Sequence, residues 1–540
     1  MISKLKEEDL QVRQYNPKKF KALFALPAMA AVALTAAVTP PIMAHPSVVQ
    51  ASETAEKSLP LGNPSLAESR EETKIAPGLT HTHITRGYQS EKDVFIVDVG
   101  FFEEKQEAQL LMKKLEADGY DPRMEIIHER ASDDNEKGPL GYLVRIGSFK
   151  EEKDAATQKD ELKGKGYDKS RVVYSGGDGG KTTGPWAINV LEIDPTKFTG
   201  KITPELGTEA VPGKEKLTSI AARTKALAAV NGGYFVMGPN DGTEGDLAGV
   251  SMMNGHLISE AVNGRTSLIL SNQNAKIAAV ETHLQAIVSD GAKREIDGYN
   301  RKPGLIRGCG GIGDTTDTPK HDFTCTDPGE LIVFTPAFGQ TTEPGEGVEV
   351  VLNSAKEVME VRDHRGGKIP NDGMVLSGKE DAADWLLSHA KPGTKMDIDN
   401  RILADGKPLP VDKTVGIVNG GPRLLQHGRV NIDAANEGFH WNDNPEFYYR
   451  FGERRNPRTL AGVTNDGKIL LVTIDGHQPG YSVGANFEES ARIMQALGAK
   501  DAVNLDGGGS TTMTIGSELI NRPSDSTGER PIGDAIVLLP

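Results

Sequence analysis

Three apolar runs in this chain stop in the same way. Leu227-Ala228-Ala229-Val230 gives way to Asn231-Gly232-Gly233-Tyr234-Phe235. Val415-Gly416-Ile417-Val418 gives way to Asn419-Gly420-Gly421-Pro422. Ala502-Val503-Asn504-Leu505 gives way to Asp506-Gly507-Gly508-Gly509-Ser510-Thr511-Thr512. Each is a short strand-like run closed by an amide or a carboxylate and at least two glycines. Glycine adopts backbone conformations closed to other residues and lets a ligand approach the main chain. Successive exposed N–H groups form an anion-binding concavity, and an Asn or Asp at the corner fixes the turn or faces the ligand. One such turn is commonplace; three, each ending a strand, point to one shared pocket. Its candidate binding positions are Gly232, Gly233, Asn419, Gly420, Gly421, Asn504, Gly507, Gly508, Gly509 and Ser510.

Charged groups join these turns. Arg458 opens the strand that follows Arg454-Arg455-Asn456-Pro457, and the next apolar run, Ile469 to Ile474, ends at Asp475-Gly476-His477. An arginine fork matches phosphate oxygens, and Arg458 is the expected clamp; Arg454 and Arg455 fit a solvated surface better. Two carboxylates can divide acid and base roles in glycosyl chemistry, so Asp506 and Asp475 are candidates, with their separation left open. His477 is a possible proton donor at neutral pH. With Asn231 these make the candidate catalytic set. A helix is expected from Phe487 to Gly498, with Ser482 as a loose cap and Glu489 either at the surface or turned to the site. No cofactor is evident and no cluster has metal-ligand spacing, His81-Thr82-His83 included; a divalent cation at the carboxylate turns stays open.

The 540 residues suffice for several domains. A net charge of −15 argues against a general nucleic-acid binder, which needs a basic face. Lys18, Lys19 and Lys21 precede an apolar run from Ala22 to Val38, and a small-residue site ends at Ala44. This reads as a signal peptide over 1–44, although Ile42 fits poorly and an uncleaved anchor is the alternative. No later stretch is long and apolar enough to span a bilayer. The protein is expected to be secreted, extracellular or cell-wall associated. A Cys309–Cys325 disulfide would suit that compartment; the alternative is two reduced thiols. Residues 45–76, rich in Ser, Glu and Pro, read as a linker.

An internal repeat follows. Phe95-Ile96-Val97-Asp98-Val99-Gly100 recurs as Tyr142-Leu143-Val144-Arg145-Ile146-Gly147, and Gly119-Tyr120-Asp121 recurs as Gly166-Tyr167-Asp168. Each unit reads strand, turn, amphipathic helix, Gly cap, strand. Two such units make a small sheet with both helices on one side and the other face free. A Gly-rich stretch, 176–183, then leads to an alternating strand from Trp186. The strand at 79–87 lacks a partner within the repeat. Pairing the two would make the repeat an insertion in a larger domain.

The repeat, over residues 91–175, resembles the sporulation-related repeat (SPOR) domain. That resemblance implies contact between the free sheet face and peptidoglycan glycan strands, with Asp98 and Arg145 as candidates. The motifs at 231–235, 419–422, 458–462 (Arg-Thr-Leu-Ala-Gly), 475–476 and 504–513 resemble the phosphodiester glycosidase family, which includes the lysosomal enzyme uncovering mannose 6-phosphate. Asn521 to Asp525 and Arg530-Pro531 are similar too. The expected fold is α+β. A large mixed α/β glycosidase domain (77–90 and 184–540) would carry the small inserted βαβ-repeat domain. The family implies hydrolysis of the bond between a sugar's anomeric carbon and a phosphodiester oxygen. By position, the site would be Asn231, Gly232, Arg458, Asp475, Asn504, Asp506 and Ser510. Arg458 and the amides of Gly507 to Gly509 would hold the phosphate of a carbohydrate phosphodiester. Family members commonly have Arg where this chain has His477, which bears on the substrate. A non-catalytic cell-wall glycan-binding protein is the alternative. A phosphatase or nucleotide-binding enzyme is a third reading, but no Gly-Lys-Ser/Thr follows the glycines.

Overall fold

The computed structural model describes residues 58–262, 264–310 and 320–540. The expected signal segment and the first part of the expected linker lie outside them. The fold is α+β. Its centre is an eight-stranded antiparallel sheet, which includes in order Trp186–Ile193, Ile469–Ile474, Arg458–Thr464 and Ala499–Asn504. The run Ile469–Ile474 is buried throughout because alternate side chains feed two cores. Leu470, Val472 and Ile474 join Phe487, Ile493 and Met494 on one face. Ile469 and Leu471 join Val418, Val503 and Leu505 on the other. A five-stranded sheet containing Ala228–Asn231 and Asp534–Leu539, and an eight-stranded sheet containing Val415–Asn419, supply that second core. The helix Phe487–Ala496 closes the first core. Asn486, not Ser482, caps it, in a box with Glu489.

The strand Leu79–Arg86 pairs along its whole length with Trp186–Ile193, so the chain leaves and re-enters this sheet side by side around the repeat. One expectation fails here. Residues 68–76, read as linker, form the strand Glu68–Ala76 at the sheet edge, paired with Leu79–Arg86. Its run of Glu, Arg and Lys looks like linker, yet charge is also how an exposed edge strand avoids further pairing.

Within the repeat the two units interleave. The sheet order is Pro122–Ile127, Gly141–Phe149, Phe95–Phe102, Arg171–Tyr174, so each central strand belongs to a different unit. Helices Lys105–Ala117 and Glu152–Gly164 bury Ala108, Leu115, Ala155 and Leu162 on Val97, Val99, Val144 and Ile146. The opposite face is not free. Leu140 and Leu143 enter the core that holds Phe439, Tyr448 and Tyr449 of the large domain. Phe101 stacks on Tyr449 at 5.4 Å. Asp98 and Arg145, expected to meet glycans, are 1% and 2% exposed. Arg145 Nε donates to Asp98 Oδ1 at 2.8 Å, its Nη atoms to both Asp178 oxygens at 2.9 Å, and Nη2 to the Tyr449 hydroxyl at 3.0 Å.

The exit segment is pinned rather than loose. Arg455, 4% exposed, donates to the carbonyls of Gly176, Asp178 and Gly180 and pairs with Glu489 at 2.7 Å. Arg454 pairs with Asp178. Both arginines therefore belong to the interface and not to a solvated surface. Removing one member of a buried ion-pair network leaves the others uncompensated, at about 3–5 kcal/mol. Arg145→Ala should lower the free energy of unfolding by that order in equilibrium denaturation, and an unchanged midpoint would contradict an energetically coupled interface.

Candidate functional site

The three glycine turns meet at one end of the central sheet, joined by asparagine side chains. Asn231 Nδ2 donates to Asp506 O at 2.7 Å; its Oδ1 accepts from Thr459 Oγ1 at 2.6 Å and Thr512 N at 3.1 Å. Asn419 Oδ1 accepts from Tyr234 N at 2.8 Å. Asn504 Nδ2 donates to the Tyr234 hydroxyl at 2.7 Å and to Gly421 O at 3.0 Å, and Gly421 N returns to Asn504 O at 2.8 Å. All three asparagines are at most 1% exposed. They hold the turns together, so Asn231 acts from beneath the site.

The glycines serve close approach more than anion binding. Gly507 N donates to Asp506 Oδ1 at 2.9 Å, Gly508 N to Pro457 O at 2.9 Å, and Gly232 N to Asp534 O at 2.9 Å. These N–H groups are spent inside the protein. A Cβ on Gly232 would lie 2.2 Å from Asp534 Oδ1, and one on Gly509 would lie 2.1 Å from Arg530 Nη2. Only glycine admits those neighbours.

Those two neighbours were not among the candidates. Asp534, 1% exposed, accepts from Gly233 N at 2.9 Å, while its Oδ2 is buried without a partner. Asp506 N donates to Gly232 O at 3.3 Å. Thus Asp506 and Asp534 flank a single glycine. Burial lifts Asp506 to about 6, against the pull of Ser510, Arg530 and the Gly507 N–H. Burial, then the charge of Asp506, lifts Asp534 to about 7. Like charges at close range push one partner toward neutrality. Arg530 lies along the Gly509 backbone and holds Asp525 through two bonds of 2.7 and 2.8 Å.

Three expected catalytic residues stand differently. Asp475, 1% exposed, has both oxygens occupied: Oδ1 by Asn521 Nδ2 at 2.8 Å, Oδ2 by Tyr481 at 2.9 Å and by Arg522 N at 3.0 Å. It anchors the 521–522 segment. Arg458 is fully buried, its guanidinium 4.5 Å from the Phe487 ring centre and 5.2 Å from that of Phe451. It donates to Ala485 O at 2.9 Å and to Phe451 O. Among the described residues no carboxylate pairs with it, and burial lowers it to about 10. His477 reaches solvent and bonds Asn456 Oδ1 at 3.1 Å; partial burial and the charges of Arg454 and Arg458 push it down to about 4.

A strand pair lies near the glycine turns. Strands Ile306–Cys309 and His321–Cys325 pair and carry the Cys309–Cys325 disulfide. His321 stacks on Trp441 at 4.5 Å. Asp322 meets Arg265 at 3.3 Å and Arg307 at 3.2 Å, and its charge reaches Asp506 and Tyr234. Arg265 lies 4.5 Å over the Phe439 ring, with its buried Nη2 unpartnered. The neighbourhood of the glycine turns thus combines carboxylates, aromatic rings and two cations, Arg265 and Arg530. No motif surrounds Asp322 or Arg265 in the sequence; Arg530 falls in the Arg530-Pro531 segment that resembles the family, and Asp534 follows it closely.

Family models match two parts of the chain: phosphodiester glycosidase over 346–539 and SPOR domain over 91–167. A crystal structure from Burkholderia pseudomallei, named as an exported protein, is 30% identical. It covers 92% of this chain and 100% of its own, with a TM-score of 0.83. The mouse N-acetylglucosamine-1-phosphodiester alpha-N-acetylglucosaminidase is 27% identical over 162 residues, 29% of this chain and 30% of its own length. An uncharacterized protein of Rickettsia conorii is 23% identical over 261 residues, 47% of this chain and 77% of its own.

Arg458→Ala strands two buried carbonyls and empties the space between two rings. Each lost partner costs about 1–3 kcal/mol, so the thermal midpoint should fall clearly. A variant with unchanged midpoint but lost activity would return Arg458 to a ligand-contact role.

Proposed function

We propose, for a chain that belongs to the phosphodiester glycosidase family and carries a SPOR domain, that it hydrolyses sugar-1-phosphodiester linkages. The observation that carries this is the Asp506–Gly232–Asp534 arrangement, two carboxyl groups flanking one glycine and both lifted by burial above the usual carboxylate range. Near neutrality Asp506 is mostly ionised and can take a proton from water as its oxygen attacks the anomeric carbon. The anomeric carbon–oxygen bond breaks and its electron pair leaves with the phosphate. The products are a free sugar and a phosphomonoester. A phosphate leaves readily because its conjugate acid is strong, so charge neutralisation matters more than protonation. Asp534, in its protonated form, donates to a phosphate oxygen without adding negative charge. Arg530 and Arg265 supply positive charge, and donors fixed before reaction cost no reorganisation during it.

The mouse relative's name makes an N-acetylglucosamine-1-phosphodiester the first substrate to try. The SPOR domain and the exported relative favour a place outside the cytoplasm, with cell-wall or extracellular glycopolymers as the substrate class. Among the described residues no helix is long and apolar enough to cross a membrane.

A panel of sugar-1-phosphodiesters, with and without chelator, tests the reading by product. Free sugar plus phosphomonoester is expected; inorganic phosphate, or no turnover of any member, would contradict it. Turnover should require Asp506 ionised and Asp534 protonated. It should rise as pH climbs through about 6 and fall as pH climbs through about 7. Asp534→Asn, which keeps the donor but cannot ionise, should lose the alkaline limb; retention of that limb would remove Asp534 from the reaction. Arg530→Ala should lower turnover by roughly 10²–10³ with an unchanged thermal midpoint, and wild-type turnover would exclude it as a phosphate partner.

A further inference from the structure

One loop of the inserted repeat grips a segment of the large domain that runs on into the glycine turns. That segment, residues 432–442, forms turns without regular helix or strand, so its polar groups need partners from elsewhere. The repeat supplies them from the loop between its strands Pro122–Ile127 and Gly141–Phe149. Asp133 accepts from Ala435 N at 2.9 Å on one oxygen and from Asn436 N at 2.8 Å on the other. Asp134 Oδ2 bonds His440 Nε2 at 2.9 Å, and Ser132 Oγ donates to Ile432 O at 2.9 Å. Ala131 and Leu140, also in that loop, join Ile432, Ala434 and Phe439 in one core.

The same segment holds the turns from its other side. Glu437 is buried, and its carboxylate is shared between two elements. Thr266 N and Oγ1 donate to it at 3.0 and 2.6 Å, and Arg423 N donates at 3.3 Å. The Glu437 carbonyl accepts from Arg265 Nε at 3.1 Å. Phe439, two residues on, carries the Arg265 guanidinium over its ring. It also packs against Gly421, where a Cβ would lie 2.4 Å from Phe439 Cε2. Arg265 and the turn at 419–422 are thus placed by a segment that is itself placed by the repeat. Asn436, bonded to Asp133, is the neighbour of Glu437 in the chain, so a shift at one is passed directly to the other.

We propose that Asp133 is a positioning residue for the glycosidase site. From the repeat it holds segment 432–442 and, through Glu437 and Phe439, sets Arg265 and the Gly421 turn. The inference rests on the hydrolase reading above, and it gives the repeat a part in turnover itself. No ligand on the repeat is required. A displacement of about 1 Å in a group that meets the substrate can cost about 10²-fold in rate, even when its cause lies far from the chemistry.

The test compares full-length chains by kinetics and by hydrogen exchange. Asp133 is half-buried, and the bonds of Ser132 and Asp134 remain without it, so Asp133→Ala should fold. Its kcat on a small sugar-1-phosphodiester should fall about tenfold or more. The amides of Thr266 and Arg423, which bond Glu437 and not Asp133, should exchange about tenfold faster. In an Arg265→Gln background the same substitution should cost no more than about twofold, because residues that act through one another are not additive. Tyr167→Phe removes a bond to Asp118 at 2.6 Å elsewhere in the repeat; it should change neither turnover nor exchange at those two amides. Wild-type kcat in Asp133→Ala, unchanged exchange at both amides, an additive loss in the double variant, or an equal loss in Tyr167→Phe would overturn the proposal. An unaltered chain that turns over no phosphodiester would instead defeat the hydrolase reading, whereas the exchange rates decide the coupling without any substrate.

Discussion

Three buried asparagine side chains make this protein one object at its working end. Each terminates a strand in a different part of the sequence, and each spends its amide on the backbone or hydroxyl of another turn: Asn231 on Asp506 and Thr512, Asn419 on Tyr234, Asn504 on Gly421 and Tyr234. An amide both donates and accepts, so it can bridge two turns at once. Buried as they are, these bonds are costly to leave unmade. They therefore fix where Asp506 and Asp534 stand relative to each other, the arrangement on which the proposed chemistry depends.

Much of this was legible in the sequence. Strand, amide, two glycines, repeated three times, is enough to expect convergence, because only a crowded junction needs glycine at each of those corners. The strand pairing across the inserted repeat followed from counting partners: Leu79–Arg86 has its whole length matched to Trp186–Ile193. What sequence assigned less well was the direction in which polar groups point. Asp475 and Asp506 look alike on paper, each ending a strand before glycine. In space Asp475 is saturated by Asn521, Tyr481 and Arg522, while Asp506 stands across Gly232 from Asp534. Arg458 opens a strand beside the turns, as a clamp would, but its side chain runs inward between Phe451 and Phe487. Burial depth is a property of what packs on top, and no local pattern records it.

The same limit explains the repeat. A sheet with both helices on one side has a second face, and sequence cannot say what covers it. Here the large domain does, through an arginine held by Asp98, Asp178 and Tyr449. The arginine pair at 454–455, which looked like surface, locks the exit segment instead. A family likeness transfers a fold more safely than an exposed surface, because an insertion can use that surface to dock on its host. The consequence is a repeat docked on its host through a buried ion-pair network.

The central claim is that a sugar phosphodiester is held with its anomeric carbon beside Asp506 and its phosphate toward Asp534 and the cations at the glycine turns. The most direct measurement is a crystal structure of the full chain with a non-cleavable sugar-1-phosphonate. The account predicts the phosphonate next to Arg530 and the Gly509 backbone, within hydrogen-bond reach of Asp534 Oδ2. A ligand found with its phosphonate elsewhere, and this end of the sheet left empty, would contradict it.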